Sequence, residues 1–110
     1  MTQYVIDEIR PADYEKLRAY LDAEFGPAEM EGIFWIPVPE EMLNEVQKAH
    51  KSCQPFFFAL DFEPERLACE LLIRTRNCIR CDCISYATEP QRNWLIGVVD
   101  AAFEKLEIHT

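Results

Sequence analysis

Glycine is scarce in this chain of 110 residues: there are only three, and none falls in a Gly-x-Gly-x-x-Gly, Walker-type or Gly-x-Ser-x-Gly pattern. Loops that cradle phosphate, or that present a nucleophile on a strained turn, depend on glycine's positive φ or its missing Cβ. Phosphate-cradling loops and nucleophile elbows are therefore excluded. Basic residues are also few, with 11 Lys and Arg against 20 Asp and Glu and a formal charge of −9. Phosphate-backbone binding needs clustered Lys and Arg to release counterions, so nucleic acid is not an expected partner. The two histidines, His50 and His109, have no partner pattern for a general base, and the carboxylates are spaced as solvated helix faces and turns. The expectation leans away from an enzyme.

Long apolar runs are missing too, so no membrane span is expected. The N-terminal MTQYVIDEIR reaches acidic residues before any apolar signal region could form, so no secretory leader is expected either. The five cysteines are then expected as reduced thiols in a cytoplasmic compartment. A chain of this length suits one domain, residues 1–110, able to bury its own core without disulfide or metal.

What is present is a long stretch of β patterning from Pro55 to Thr88. Phe56, Phe58, Leu60 and Phe62 form one period-2 apolar set, and Leu67, Cys69, Leu71, Ile73 and Thr75 form the next. Pairing Phe62 with Leu67 across the turn Glu63-Pro64-Glu65-Arg66 brings the two apolar sides together. A third set, Ile79, Cys81, Cys83 and Ser85, matches if Thr75 pairs with Ile79, Ile73 with Cys81 and Leu71 with Cys83. The spacing predicts antiparallel strands over 56–62, 67–75 and 79–87. A one-residue shift would turn an apolar set to the wrong side.

Around this meander, residues 4–9 and 32–38 read as further strands, with Pro37 favouring an edge or a strand end. Tyr14, Leu17, Leu21 and Phe25 recur at helical steps after Pro11, and Gly26-Pro27 ends that helix. Residues 39–51 read as a second helix with a modest apolar side of Met42, Leu43, Val46 and Ala49. Thr88 and Gln91 have capping-box spacing ahead of a helix over 89–106, whose stripe is Leu95, Val98, Val99, Ala102 and Leu106. The predicted class is α+β in the order β-α-β-α-β-β-β-α: an antiparallel or mixed sheet of four or five strands, with helices mainly on one face.

Two constellations stand out. Cys78-x-x-Cys81-x-Cys83 has thiol spacing that zinc or a redox pair can use, but a structural zinc site wants four ligands. Cys53 and His50 would complete it only if the end of the second helix meets the Cys78 turn. The first expectation is that these cysteines act as small buried hydrophobes on the inward strand face.

The other constellation is the opposite sheet face, where Phe57, Leu72, Ile84 and Tyr86 form an apolar patch rimmed by Arg74, Arg80 and Asp82, with Arg74 facing Arg80. A solvated face should alternate cleanly, and an aromatic patch with arginine at its rim is the pattern of a contact surface. The leading functional expectation is an interaction or accessory domain using this face to bind a protein partner or itself, a homodimer being simplest. The alternative is a zinc or thiol-redox module, and the third is a small-molecule site between the second helix and the Arg74/Arg80 face.

Overall fold

The alternation in residues 56–63 decides the layout, because Phe56, Phe58, Leu60 and Phe62 are all at most 2% exposed, whereas of the alternate residues Phe57 and Ala59 are half-buried and Asp61 and Glu63 are open to solvent. Burying one such phenylalanine contributes about 1.5–3 kcal/mol, so the strand is pinned with these side chains inward. In the computed structural model, which describes residues 2–29, 32–77 and 80–109, the chain forms β1 (Gln3–Ile6), α1 (Pro11–Phe25), β2 (Ile33–Pro37), α2 (Glu45–Ala49), β3 (Phe56–Glu63), β4 (Arg66–Glu70), β5 (Leu72–Thr75), β6 (Ser85–Tyr86) and α3 (Glu89–Lys105). Among the described residues every strand pairing is antiparallel. The chain has the expected α+β class, with helices beside an antiparallel sheet.

β3 lies between β2 on one edge and the successive strands β4 and β5 on the other. β1 pairs with β4 and β6 with β5, so both occupy the outer edge of that divided strand. Leu71 joins them: its N–H reaches the carbonyl of Thr2 at 3.1 Å, and its carbonyl accepts from Ala87 N–H at 2.8 Å. The predicted pairs Phe62–Leu67 and Leu60–Cys69 are formed. Farther on, Phe57 pairs with Arg74 and Phe56 with Thr75. Between these points β3 advances from 57 to 60, three residues, and its partner from 69 to 74, five. Two extra residues therefore bulge out. This divides the expected 67–75 strand, brings the strands among the described residues to six and displaces the predicted Phe58–Leu71 pair. An even insertion keeps the side-chain alternation, so Leu71, Ile73 and Thr75 remain buried.

The third meander strand departs further. Ile73 pairs with Ser85 and Leu72 with Tyr86, a slip of four residues from the predicted Ile73–Cys81. Residues 80–84 are spent on a turn instead, closed by Ile84 N–H to the Cys81 carbonyl at 3.0 Å. Arg74 and Arg80 are consequently not opposed across a ladder. Arg74 Nε pairs with Glu70 at 2.5 Å and Arg76 with Glu29 at 2.7 Å.

α1 and α3 cover the inward face: Leu17 and Leu21 from one, and Val99, Ala102 and Phe103 from the other, close over Ile36, Leu60 and Leu67. Tyr14 packs at a tilt against Phe62, ring centroids 4.7 Å apart, and Trp94 stacks on Phe58 at 6.2 Å. Gly26 ends α1 as expected, and Pro37 is the last residue of β2. Gly32 cannot be replaced easily, since its φ is +104° and a Cβ there would lie 2.6 Å from the Phe62 carbonyl oxygen.

The expected 39–51 helix is broken into three pieces. A 3₁₀ turn at Glu40–Met42 ends at an extended Leu43, Asn44 caps α2, and Lys51–Cys53 form a second 3₁₀ turn. Asn44 breaks the helix because its side chain accepts from the Gln47 N–H at 2.8 Å while Gln47 Oε1 accepts from the Asn44 N–H at 3.0 Å.

Candidate metal centre

α2 stops after five residues at His50, which leaves helical space, and the next turn is closed by Cys53 N–H to the His50 carbonyl at 3.0 Å. Side chains three apart in a 3₁₀ turn lie over one another, so His50 and Cys53 project together. The second turn, Cys81 to Ile84, presents Cys81 and Cys83 around Asp82. Thr75 holds the first turn by donating its hydroxyl to the Cys53 carbonyl.

The second turn is held by two glutamines. Gln47 Nε2 donates to the Cys83 carbonyl at 3.3 Å, and Gln91 Nε2 donates to Gln47 Oε1 at 3.0 Å and to the Met42 carbonyl at 2.8 Å. Gln91 in turn completes the predicted cap of α3, its Oε1 accepting from Thr88 N–H at 3.0 Å. Both glutamines are buried, and a buried amide that lost these partners would carry its full desolvation penalty. Their network fixes where Cys83 sits.

The turns bring four ligand atoms together. His50 Nδ1 lies 2.8 Å from Cys81 Sγ, Cys53 Sγ lies 4.0 Å from Cys81 Sγ, and the ligand atoms of His50, Cys53, Cys81 and Cys83 all fall within 4.8 Å of one another. Zinc bonds of about 2.3 Å to sulfur and about 2.0–2.1 Å to nitrogen place tetrahedral ligands about 3.5–3.8 Å apart. The observed separations bracket that range. Three thiols and an imidazole are also the donor types that zinc takes in structural sites.

The thiols differ in acidity. Cys81 is held below the ordinary thiol value, first by hydrogen bonds from the Cys83 backbone N–H and thiol and then by His50, with burial working against them. Cys83 is pushed up to about 12, chiefly by burial and then by the neighbouring Cys81 and Cys53 thiols. A bound cation would reverse that preference, because a coordinating thiol is deprotonated outright.

Of the five residues proposed from sequence for a metal, four converge. Cys78 lies outside the described residues. Cys83 is buried as expected, but in a turn under Gln47 rather than in a strand opposite Leu71, and Cys81 is half-buried. The positioning glutamines were missed. Their signal was present, since Asn44-x-x-Gln47 repeats the capping-box spacing recognised at Thr88-x-x-Gln91.

The second sheet face is arranged as follows. Phe57 and Leu72 are half-buried outside the core cluster, Tyr86 pairs with Leu72 and is 55% exposed, and Arg74 is exposed beside them. Trp35 joins this face, edge-on to Phe57 at 6.1 Å and under the Arg76 guanidinium at 5.2 Å. Arg80 and Asp82 are exposed on the loop, and Ile84 packs against the core instead. The cleft beside α2 is lined by Glu40, Glu41, Lys48, Lys51 and Gln54, not by Arg74 or Arg80. Among the described residues, no helix is long and apolar enough to cross a membrane. Comparison with family models, with curated proteins and with solved structures found no match.

Proposed function

We propose that the chain is a zinc-binding accessory domain in which His50, Cys53, Cys81 and Cys83 hold one structural ion. The observation that carries this reading is the convergence of two turns, separated by three strands in sequence, on a ligand set no wider than 4.8 Å. Four protein donors would complete a tetrahedron and leave no position for water, which favours a structural over a catalytic role. The ion would supply charge to keep the buried Cys83 thiol ionised and would tie the α2 end of the chain to the β5–β6 loop. The soft donor set disfavours calcium and magnesium, which select oxygen ligands.

Metal analysis of untagged protein, followed by titration against a chromophoric chelator, tests the reading. One zinc per chain is expected, lost in a Cys53→Ser, Cys83→Ser double variant. Free zinc at a thousand times its Kd should stabilise the fold by about 4 kcal/mol against denaturant. A wild-type chain with no zinc affinity stronger than micromolar would overturn it.

A second reading concerns the sheet face. Tyr86, exposed beside half-buried Phe57, Leu72 and Trp35 with arginine at the margin, supports a protein-contact surface, and a homodimer is its simplest form. Sedimentation of wild type and Leu72→Glu at tens of micromolar distinguishes the cases: a wild-type monomer, or a dimer that survives the substitution, counts against self-association.

A further inference from the structure

Within the ligand cluster the thiols are unequally placed. Cys53 and Cys83 are 4% and 0% exposed, whereas Cys81 is half-buried and meets solvent. A small oxidant arriving from solution therefore encounters Cys81 first, and access is one of the determinants of which thiol oxidises. Cys53 Sγ stands 4.0 Å from the Cys81 sulfur. The two residues belong to separate turns, and the sulfurs need to close by about 2 Å to reach the roughly 2 Å of a disulfide. Cys83 also lies within the cluster, but it is only two residues from Cys81 and is held inward through its carbonyl by Gln47. A bridge there would have to form across Asp82 and pull against that hydrogen bond.

We propose that Cys81 is a peroxide-oxidation site and that Cys53 resolves it as a disulfide, which releases zinc from the centre. The thiol chemistry needs only these side chains, while the release of metal rests on the zinc reading above. In the first step the Cys81 thiolate attacks hydrogen peroxide: the O–O bond breaks, an S–OH bond forms, and hydroxide leaves. In the second step the Cys53 thiolate attacks the Cys81 sulfur: the S–S bond forms, the S–O bond breaks, and a second hydroxide leaves. Two solvent protons convert both hydroxides to water. Two sulfurs have together lost two electrons and the peroxide has gained them. With two of its four donors joined to each other, the ion retains only His50 and Cys83 and passes into solution.

The test treats full-length zinc-loaded protein with hydrogen peroxide while a chromophoric dye reports free zinc. Trypsin cleaves after Lys51, Arg66, Arg76, Arg80 and Arg92, which puts Cys53 in the peptide 52–66, Cys81 and Cys83 together in 81–92, and Cys78 in 77–80. The expected result is one zinc released for two thiols lost, a cross-link between 52–66 and 81–92, and recovery of thiols and zinc binding with dithiothreitol. Digesting the 81–92 partner further between Cys81 and Cys83 assigns the cross-link to Cys81. A bridge within 81–92, a bridge to 77–80, or irreversible oxidation of Cys81 without any bridge would overturn the proposal. The same treatment of zinc-free reduced protein separates the two readings. A Cys53–Cys81 bridge in a chain that never binds zinc leaves the oxidation site standing and overturns the metal centre; zinc binding without the bridge does the reverse. In zinc-free Cys53→Ala, Cys81 should remain as a sulfenic acid trapped by dimedone, and absence of that adduct would overturn Cys81 as the first site of attack.

Discussion

The two ends of the inward sheet face are held by different physics. Toward α1 and the apolar side of α3 the contacts are apolar side chains closing on one another, with Leu17, Leu60, Leu67 and Leu95 essentially inaccessible. In the corner where residues 39–54 meet 80–91 the contacts are directional: a reciprocal cap at Asn44, two buried glutamines, and an imidazole against a thiol. Apolar burial is non-directional and tolerates small displacements, whereas an amide network or a ligand set works only at one geometry. The first region supplies stability; the second positions chemistry.

The largest way to break the comparison is through the first region. Leu95 is 0% exposed, and Leu95→Ala should cost about 2–5 kcal/mol in denaturant unfolding, a large share of a small domain's total. Both regions should melt together in that variant. A loss below about 1 kcal/mol would place Leu95 at the periphery instead.

The same division explains what could be read from the sequence. Helix α1, α3 with its cap, and the Phe62–Leu67 register follow from periodicity, because an apolar stripe has one direction in which to hide. The corner did not follow. Alternation of Ile79, Cys81, Cys83 and Ser85 pointed to a strand, but a turn fits the same residues, and which wins depends on Gln47 reaching the Cys83 carbonyl from 36 residues away. Period-2 patterning carries no information about such a partner. Likewise Met42, Leu43 and Val46 are compatible with one helix, and only the Asn44–Gln47 cap shows where it breaks. The ligand set was legible as residue types and spacing, conditional on a contact between two turns that local pattern cannot supply.

A pH series sharpens the contrast between thiols. Cys69 faces Leu60 and Tyr4 in the apolar region, and burial, with Asp100 adding to it, pushes its thiol from 9.0 up to about 12. The unfolded thiol ionises near its ordinary value while the folded one stays neutral. This contribution to stability is therefore complete below pH 9 and is lost as pH rises from about 9 to about 12, by at most about 1.4 kcal/mol per unit. Tyr4, raised to about 12 by burial and by its hydrogen bond to Asp100, acts in the same direction at the upper end. Unfolding measured between pH 8 and 11 in zinc-free protein should show this decline, and Cys69→Ala should flatten it. An unchanged slope in the variant would assign the decline to Tyr4 and Cys83.

A smaller effect, confined to the corner, is expected of Gln91→Ala. It removes the partner of Gln47 Oε1, of the Met42 carbonyl and of the Thr88 N–H. Stability should fall by about 1–3 kcal/mol. Because Gln47 positions Cys83, zinc affinity should fall by about 10–100-fold, as it does when groups orienting metal ligands are lost. Leu95→Ala should leave zinc affinity of the remaining folded protein near wild type. Equal loss of affinity in both variants would show that the regions are not separable.

The smallest expected change lies between the regions, at Gly97. α3 begins at the corner with Gln91 and ends in the apolar layer with Phe103, and Gly97 sits on its exposed side with nothing within 4 Å of where a Cβ would stand. Glycine in a helix interior is disfavoured relative to alanine by about 0.8–1.0 kcal/mol, mostly because its unfolded backbone has more freedom to lose. With no atom for the methyl group to strike, Gly97→Ala should stabilise the domain by about that amount and raise Tm by about 4–8 °C per kcal/mol. Zinc affinity should not move, since the substitution touches neither Gln91 nor the ligands. If Gly97→Ala instead lowers stability in a concentration-dependent manner, the bare side of α3 is in contact with a second chain, and the helix would then face a partner that the sheet's other side was expected to meet.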